Sequence, residues 1–231
     1  MEHSKRLSFL KKKIVENFYN IETAVPLLKE TANAKFIESV EAHIFLNIDV
    51  KQTEHQLRST LALPHGTGKS LKIAVLIQPE FFLETLNFGA DIVGYEDLIE
   101  NINNNKLDFD ILITTSQLMP KLAKLGKILG PKGLMPSPKS GTVTQNLKCT
   151  INEFKKGKIE YRADKTGIVH INFGKINFSI EKLKENLFAI YKSIEKNKPK
   201  GIKGKYFKSF AICTTMGPSI FINPSSFKTT N

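Results

Sequence analysis

The sequence predicts an α/β fold in which an α+β domain, built from both ends of the chain, surrounds an inserted αβα domain. Apolar and polar residues alternate in the first and last thirds, as in half-buried antiparallel strands. In the middle third, short apolar segments alternate with helical ones, which is typical of a parallel sheet. We therefore expect one domain at 1–66 and 159–231 and a second at 67–158, joined by two connections that would permit hinge motion.

The first domain begins with apolar residues at helical spacing, followed by a change to alternation. Helices are expected at 3–19 and 22–33, a strand at 39–49, and a second strand at 58–63 that pairs with it. The inserted domain should contain strands at 73–77, 91–93 and 111–114, helices at 81–88, 96–105, 118–125 and 147–156, and a loop at 130–141. The final segment should contain strands at 159–162, 168–173, 176–178, 205–213 and 219–222, a turn at 164–167, and a helix at 180–196.

The charge of the chain indicates a polyanionic partner. The 34 basic residues outnumber the 22 acidic ones, giving a formal charge of +12, and only Arg6, Arg58 and Arg162 are arginines. Lysines attract phosphate as point charges, so nucleic acid is the leading partner and an anionic membrane surface the second. Two cysteines and the lack of a long apolar segment favour a soluble protein of a reducing compartment. Glu2 and Glu16 disfavour a targeting presequence at the start.

Signals for catalysis are weak. The segment 66–70 resembles a phosphate-binding loop, but the required first glycine is replaced by Leu63 and the segment precedes a strand. The five histidines have no two-ligand spacing with each other or with the cysteines. Asp108 and Asp110 are accompanied by no base or nucleophile, and are expected to flank a buried strand. No enzyme activity, cofactor or metal is therefore expected.

Two segments have the chemistry of RNA contacts. Tyr206 and Phe207 lie among lysines, and an aromatic face can stack on a base, although both rings could equally be core residues. The turn at 214–219 combines hydroxyls, Met216 and Gly217, which suit ribose and phosphate oxygens. Taken by itself, this turn could also serve only to connect two strands.

The segment 126–142, GKILGPKGLMPSPKSGT, closely resembles the signature loop of the ribosomal protein L1 family. Segments 35–41, 61–69, 164–167 and 214–219 resemble other parts of that family in the same order. The resemblance implies a discontinuous first domain and an inserted Rossmann-like αβα domain. It also implies binding to large-subunit rRNA at the base of a mobile stalk that helps release exit-site tRNA. Some bacterial members also bind their own mRNA and repress its translation.

Carried over position by position, the resemblance implies an RNA-binding surface on the first domain. It comprises Lys35, Phe36, Ser39, Glu41, Ser209, Thr215, Met216 and Gly217. It further implies a monomer within the ribosome that has no membrane partner. The segment 161–167 is more similar to cyanobacterial and plastid members than to other bacterial ones, so the plastid (chloroplast) stroma is the expected location, with the bacterial cytoplasm as the alternative.

Two other classes of function remain open at this point. An enzyme could use the inserted domain as a nucleotide site, in which case that segment would bind nucleotide saturably. A lysine-rich membrane-surface protein would need a sustained amphipathic face at one terminus, and would float with liposomes.

Overall fold

The computed structural model describes residues 5–49, 57–199, 201–202 and 204–227. Its helices and strands follow in the order α1 (Lys5–Lys11), α2 (Ile21–Thr31), β1 (Ser39–Leu46), β2 (Arg58–Ala62), β3 (Ile73–Leu76), α3 (Phe82–Asn87), β4 (Ile92–Gly94), α4 (Glu96–Asn103), β5 (Ile111–Thr114), α5 (Met119–Ala123), α6 (Gly126–Leu129), α7 (Leu147–Lys155), β6 (Lys158–Arg162), β7 (Ile168–Lys175), α8 (Ile180–Lys196), β8 (Phe207–Thr214) and β9 (Ile220–Ile222). Within these residues, every helix is too short or too polar to cross a lipid bilayer.

The chain divides into two compact units, of which the first contains residues up to Gly68 and from Glu160 onward. Its main sheet is antiparallel, with the strand order β7-β1-β8-β9. In β1 the side chains are alternately half-buried and buried, so Val40, Ala42 and Ile44 face the core, where α2 and α8 pack. The predicted alternation of β1 is confirmed. The opposite face of β1, which carries Glu41 and His43, is partly open to solvent.

The partner predicted for β2 is wrong. This strand pairs with β6 in a separate two-stranded sheet, while β1 lies between β7 and β8. The strand predicted at 168–173 is observed as β7, which ends at Lys175, whereas the strand predicted at 176–178 is wrong, because these residues form a turn before α8. Strand pairing depends on residues far apart in the chain, so local alternation does not identify the partner.

The first helix is shorter than predicted. It ends at Lys11, because Tyr19 is extended: its backbone N–H donates to the carbonyl of Phe221 at 2.9 Å, beside β9. The Tyr19 hydroxyl also accepts from the backbone N–H groups of Val15 and Glu16, each at 2.9 Å. These contacts hold 13–19 in a non-helical path despite its helix-like apolar spacing.

The second unit contains residues Lys69–Ile159 and a parallel sheet with the order β4-β3-β5. All four residues of β3 are buried, with Ala74 and Leu76 in one apolar cluster and Ile73 and Val75 in another. Each cluster includes residues from helices, so both faces of the sheet are covered. The predicted parallel sheet with helices on both faces is confirmed.

The segment 126–142 is folded onto this sheet. Thr142 accepts through its hydroxyl from the backbone N–H of Ser137 at 2.9 Å, and its carbonyl accepts from the N–H of Thr114 at 3.0 Å. Leu129 is buried in the apolar cluster that contains Ala74 and Leu76 of β3. A Cβ on Gly130 would lie 2.6 Å from the carbonyl oxygen of Gly126, so this position has no room for a side chain. These contacts explain Gly130 and Thr142 through packing.

Candidate nucleic-acid interface

The pairing of β1 with β8 brings two distant segments together at one edge of the sheet. The strands are antiparallel, so the start of β1 lies beside the end of β8, with Val40 opposite Thr214. The N–H of Ser39 donates to the Thr215 hydroxyl at 3.0 Å, and the N–H of Thr215 donates to the Ser39 carbonyl at 3.1 Å. The turn after β8 is therefore fixed against the chain entering β1.

The carboxylate of Glu38 joins these two segments. One oxygen accepts from the N–H of Met216 at 2.9 Å, and the other accepts from the N–H of Ala34 at 3.1 Å. Glu38 is only 1% exposed. Burial acts to raise the pKa of Glu38, but hydrogen bonds such as those from Met216 and Ala34 outweigh it and hold that pKa below its ordinary value. The carboxylate is therefore ionised at neutral pH and closes the loop that carries Lys35 and Phe36.

Three large apolar side chains, those of Phe36, Ile37 and Met216, are exposed at this edge. Phe36 is 54% exposed and lies within the loop closed by Glu38, whereas Met216 is 53% exposed and lies in the turn bound by the same carboxylate. We call the group formed by Lys35, Phe36, Ser39, Thr215, Met216 and Gly217 the strand-end surface. Its apolar side chains are held in place by backbone contacts and remain available to a partner.

The strand-end surface is also basic. The ammonium of Lys175 donates to the Ser39 hydroxyl at 2.8 Å, and the guanidinium of Arg6 donates to the carbonyl of Met216. Lys35 is exposed. Sequence reasoning did not identify Arg6 or Lys175 as part of this site, because no local pattern relates them to a turn that begins after Thr214.

Gly217 is required by close packing within the turn. Its N–H donates to the Thr214 carbonyl at 3.1 Å, and a Cβ at Gly217 would lie 2.3 Å from the Thr214 hydroxyl oxygen. Thr214 is itself buried, so its side chain has little freedom to move away. A glycine at this position allows the backbone of the turn to remain compact.

The other two predicted residues lie on the open face of the same sheet. Glu41 is opposite Cys213, and Ser209 is opposite Phe45. Ser209 is six residues before Thr215 along β8, or about 20 Å at the usual rise of a strand. The structure therefore places Glu41 next to the strand-end surface and Ser209 towards the other end of the strand. A partner that touches both must extend along the sheet.

The lysine-flanked aromatic pair at 206–207 belongs to the core. Tyr206 is 6% exposed, and the ring of Phe207 stacks on Tyr191 with centroids 4.8 Å apart. Of the two interpretations left open by the sequence, packing is the one that the contacts favour.

The weak catalytic signals also have structural explanations. Asp110 binds the ammonium of Lys69 at 2.5 Å and accepts from the N–H of Lys72 at 3.1 Å; the Lys69 contact is the main reason why the pKa of Asp110 is lowered. Gly66 and Gly68 both have positive φ angles, and the segment that contains them is a turn before β3.

Comparison with known proteins identifies the family to which the chain belongs. The profile of a family described as "Ribosomal protein L1p/L10e family" matches residues 28–218. The chain is 58% identical over 228 residues to "Large ribosomal subunit protein uL1c" of Guillardia theta, covering 99% of this chain and 97% of that one. It is 60% identical over 210 residues to the protein of the same name from Phaeodactylum tricornutum, covering 91% of each chain.

A cyanobacterial relative is almost as similar. The chain is 54% identical over 223 residues to "Large ribosomal subunit protein uL1" of Prochlorococcus marinus (strain MIT 9312), covering 96% of this chain and 95% of that one. The chain therefore belongs to the ribosomal protein L1p/L10e family. This membership confirms the family resemblance and the prediction that the chain is a ribosomal protein and not an enzyme.

Proposed function

We propose that this chain is a protein of the large ribosomal subunit that binds its rRNA through the strand-end surface, at the base of a mobile stalk. The observation that carries the proposal is the bridge formed by Glu38, which holds exposed Phe36 and exposed Met216 at one edge of the sheet. Family membership and the names of the relatives support the assignment to the large subunit and the choice of its rRNA as the partner.

The chemistry of the strand-end surface suits folded RNA. The ring of Phe36 offers a stacking face to a sugar or base, and Met216 adds an adaptable apolar contact. Lys35 attracts phosphate, while the Thr215 hydroxyl can bond to phosphate or ribose oxygens. The missing side chain at Gly217 lets the RNA backbone approach closely.

Glu41 and Ser209 extend this contact along the sheet. The carboxylate of Glu41 accepts from a ribose 2′-hydroxyl, a group that distinguishes RNA from DNA. Ser209 contacts the RNA towards the far end of β8. The two compact units act as domains. The unit built from both ends of the chain binds the RNA, whereas the inserted αβα unit, 67–158 by the sequence boundaries, lies outside the main rRNA contact.

Two activities and an oligomeric state belong to the same proposal. The stalk that carries the protein assists release of exit-site tRNA, and the protein represses translation of its own mRNA by binding a similar RNA fold. Within the ribosome the protein is a monomer. The plastid stroma is the proposed location. It is supported by the similarity to relatives from the plastid-bearing algae Guillardia theta and Phaeodactylum tricornutum and from a cyanobacterium.

The proposal is tested by measuring binding to a large-subunit rRNA fragment containing the stalk base. Phe36→Ala and Met216→Asp should each weaken binding by about 1–3 kcal/mol, or ~5- to 150-fold, as expected for a lost stacking or shaped contact. Lys132→Ala, an exposed charge of the inserted unit, is the control and should have a much smaller effect. Equal losses in all three variants would mean that diffuse charge alone holds the RNA.

Two further measurements locate and characterise the contact. Affinity should fall by about 0.7–0.9 log units per tenfold increase in salt for each phosphate neutralised. Footprinting on purified rRNA should show protection at the stalk base that Phe36→Ala reduces. Protection elsewhere, unaffected by this variant, would contradict the assignment of the surface.

A further inference from the structure

The open face of the main sheet carries a cluster of three side chains of types that can ligate a metal ion. Glu41 and His43 are two residues apart in β1, so they point to the same face, and Cys213 is opposite Glu41 in β8. His43 Nε2 lies 3.2 Å from Cys213 Sγ and 3.9 Å from the nearer oxygen of Glu41. One ligand atom from each residue lies within 4.8 Å of the other two.

We propose that Glu41, His43 and Cys213 bind a divalent transition-metal ion of the zinc type. Zinc has bonds of about 2.3 Å to sulfur and about 2.0–2.2 Å to nitrogen and oxygen, which place its tetrahedral ligands ~3.4–3.6 Å apart. The two measured separations lie on either side of this range. The thiolate and the imidazole favour zinc or a similar ion over magnesium and calcium, which prefer oxygen.

A second histidine orients His43 for this role. The Nδ1 atoms of His43 and His170 are 2.7 Å apart, and His170 Nε2 is 3.8 Å from a carboxylate oxygen of Asp164. When His43 donates its Nδ1 hydrogen to His170, its Nε2 lone pair faces Cys213 and Glu41. Histidine ligands in proteins usually have a partner on the second ring nitrogen in this way, and the partner fixes the ring and its tautomer.

Binding of the ion takes one proton from the site. When the ion binds, the S–H bond of Cys213 breaks, its proton passes to solvent, and an S–metal bond forms. Glu41 and His43 donate lone pairs without releasing a proton.

The resulting site has three protein ligands and is electrically balanced. The thiolate and the carboxylate offset the two charges of the ion, and water takes the fourth position of the tetrahedron. Spacing along the chain predicted no metal site, because Glu41 and His43 come from one strand and Cys213 from another that is distant in sequence. Only the pairing of β1 with β8 brings them together. This proposal does not rest on RNA binding.

Cobalt(II) titration of the full-length protein tests the proposal, because a cobalt–thiolate bond has a characteristic near-ultraviolet charge-transfer absorption. Wild-type protein should show this band together with the visible bands of a tetrahedral ion, and zinc should displace both. Cys149→Ser is the matched control, since Cys149 is the other cysteine of the chain and is exposed. We expect Cys149→Ser to retain the spectrum and Cys213→Ser to lose the charge-transfer band.

Two further variants separate the ligands from their support. His43→Gln should weaken cobalt binding at least as much as His170→Ala, for which we expect a ~10- to 100-fold loss with the charge-transfer band retained at saturation. Zinc should raise the Tm of the wild type but not that of Cys213→Ser, and equal Tm values without metal would show that both proteins are folded. A wild-type protein without the band, or the same band in Cys213→Ser, would overturn the proposal.

Discussion

Glu38→Gln tests how the strand-end surface is built. The substitution keeps the size of the side chain but replaces one carboxylate oxygen with an NH2 group. Two of the groups that face this side chain, the N–H groups of Met216 and Ala34, are donors. An amide oxygen can accept from only one of them, so the other N–H loses its protein partner and the remaining bond loses its charge.

We expect this change to cost about 2 kcal/mol, because hydrogen bonds to charged groups contribute about 1.5–3 kcal/mol. The loss should appear as a lower urea midpoint at an unchanged slope. If loosening the turn displaces Phe36 and Met216 to the same extent, RNA affinity should fall by ~30-fold, the equivalent of about 2 kcal/mol.

The sign of the effect on RNA makes the test decisive. Glu38→Gln removes a negative charge beside the proposed interface, so long-range electrostatics alone predicts tighter binding. Positioning of the turn predicts weaker binding. Glu30→Gln, at an exposed position of α2, makes the same change of charge and is the matched control. If Glu38→Gln bound RNA as tightly as Glu30→Gln and unfolded at the same urea concentration, the bridging role assigned to Glu38 would be refuted.

Three further predictions concern the same unit. Gly217→Ala should reduce rRNA affinity by at least tenfold while the far-ultraviolet circular dichroism spectrum is unchanged. The new Cβ would lie 2.3 Å from the Thr214 hydroxyl oxygen, so the turn must move. Ser219→Ala, at an exposed position, is the control and should bind normally. Ionised Glu38 should stabilise the protein fully above its ordinary pKa of 4.5, and this stabilisation should disappear as the pH falls through the lower pKa of the folded state. The difference in free energy of unfolding between wild type and Glu38→Gln should therefore close in acid and not in alkali. Asn186→Ala should lower the free energy of unfolding by about 3 kcal/mol in urea titrations. The buried amide of Asn186 accepts from the His65 N–H at 3.1 Å and donates to the Gly66 and Phe173 carbonyls at 3.0 and 2.8 Å. An effect no larger than that of Asn152→Ala, at an exposed position of α7, would contradict this prediction.

Local patterns predicted the elements whose burial follows a simple period. The alternation in β1 and the long helix α8 were predicted with nearly the observed bounds. The patterns failed where distant contacts decide, as at Tyr19, which pairs with β9 and ends the helical path, and at β2, which pairs with β6. In each case the apolar spacing was compatible with more than one partner.

The candidate site shows the same division. Phe36 and Met216 could be named from the sequence because their segments resemble those of a known family, and the structure shows that both are exposed near one carboxylate. Glu38 was missed, because a glutamate next to the start of a strand is usually a solvated residue. Its burial follows from the turn after β8, and only a tertiary structure shows that contact. Glu38-Ser39 before an alternating strand was the signal available, but it is too short to be specific.

The order of strands in the main sheet affects how the protein matures during translation. Strand β1 is made early, yet its neighbours β7 and β8 follow only after the whole inserted unit has been synthesised. Until then its buried face, with Val40, Ala42 and Ile44, has no sheet to join, whereas the inserted unit can already fold on its own contacts. The turn that contains Met216 emerges later still, so the strand-end surface cannot form before residue 217 has been synthesised. Any partner that needs both Phe36 and Met216 can therefore engage the protein only after this turn has been made.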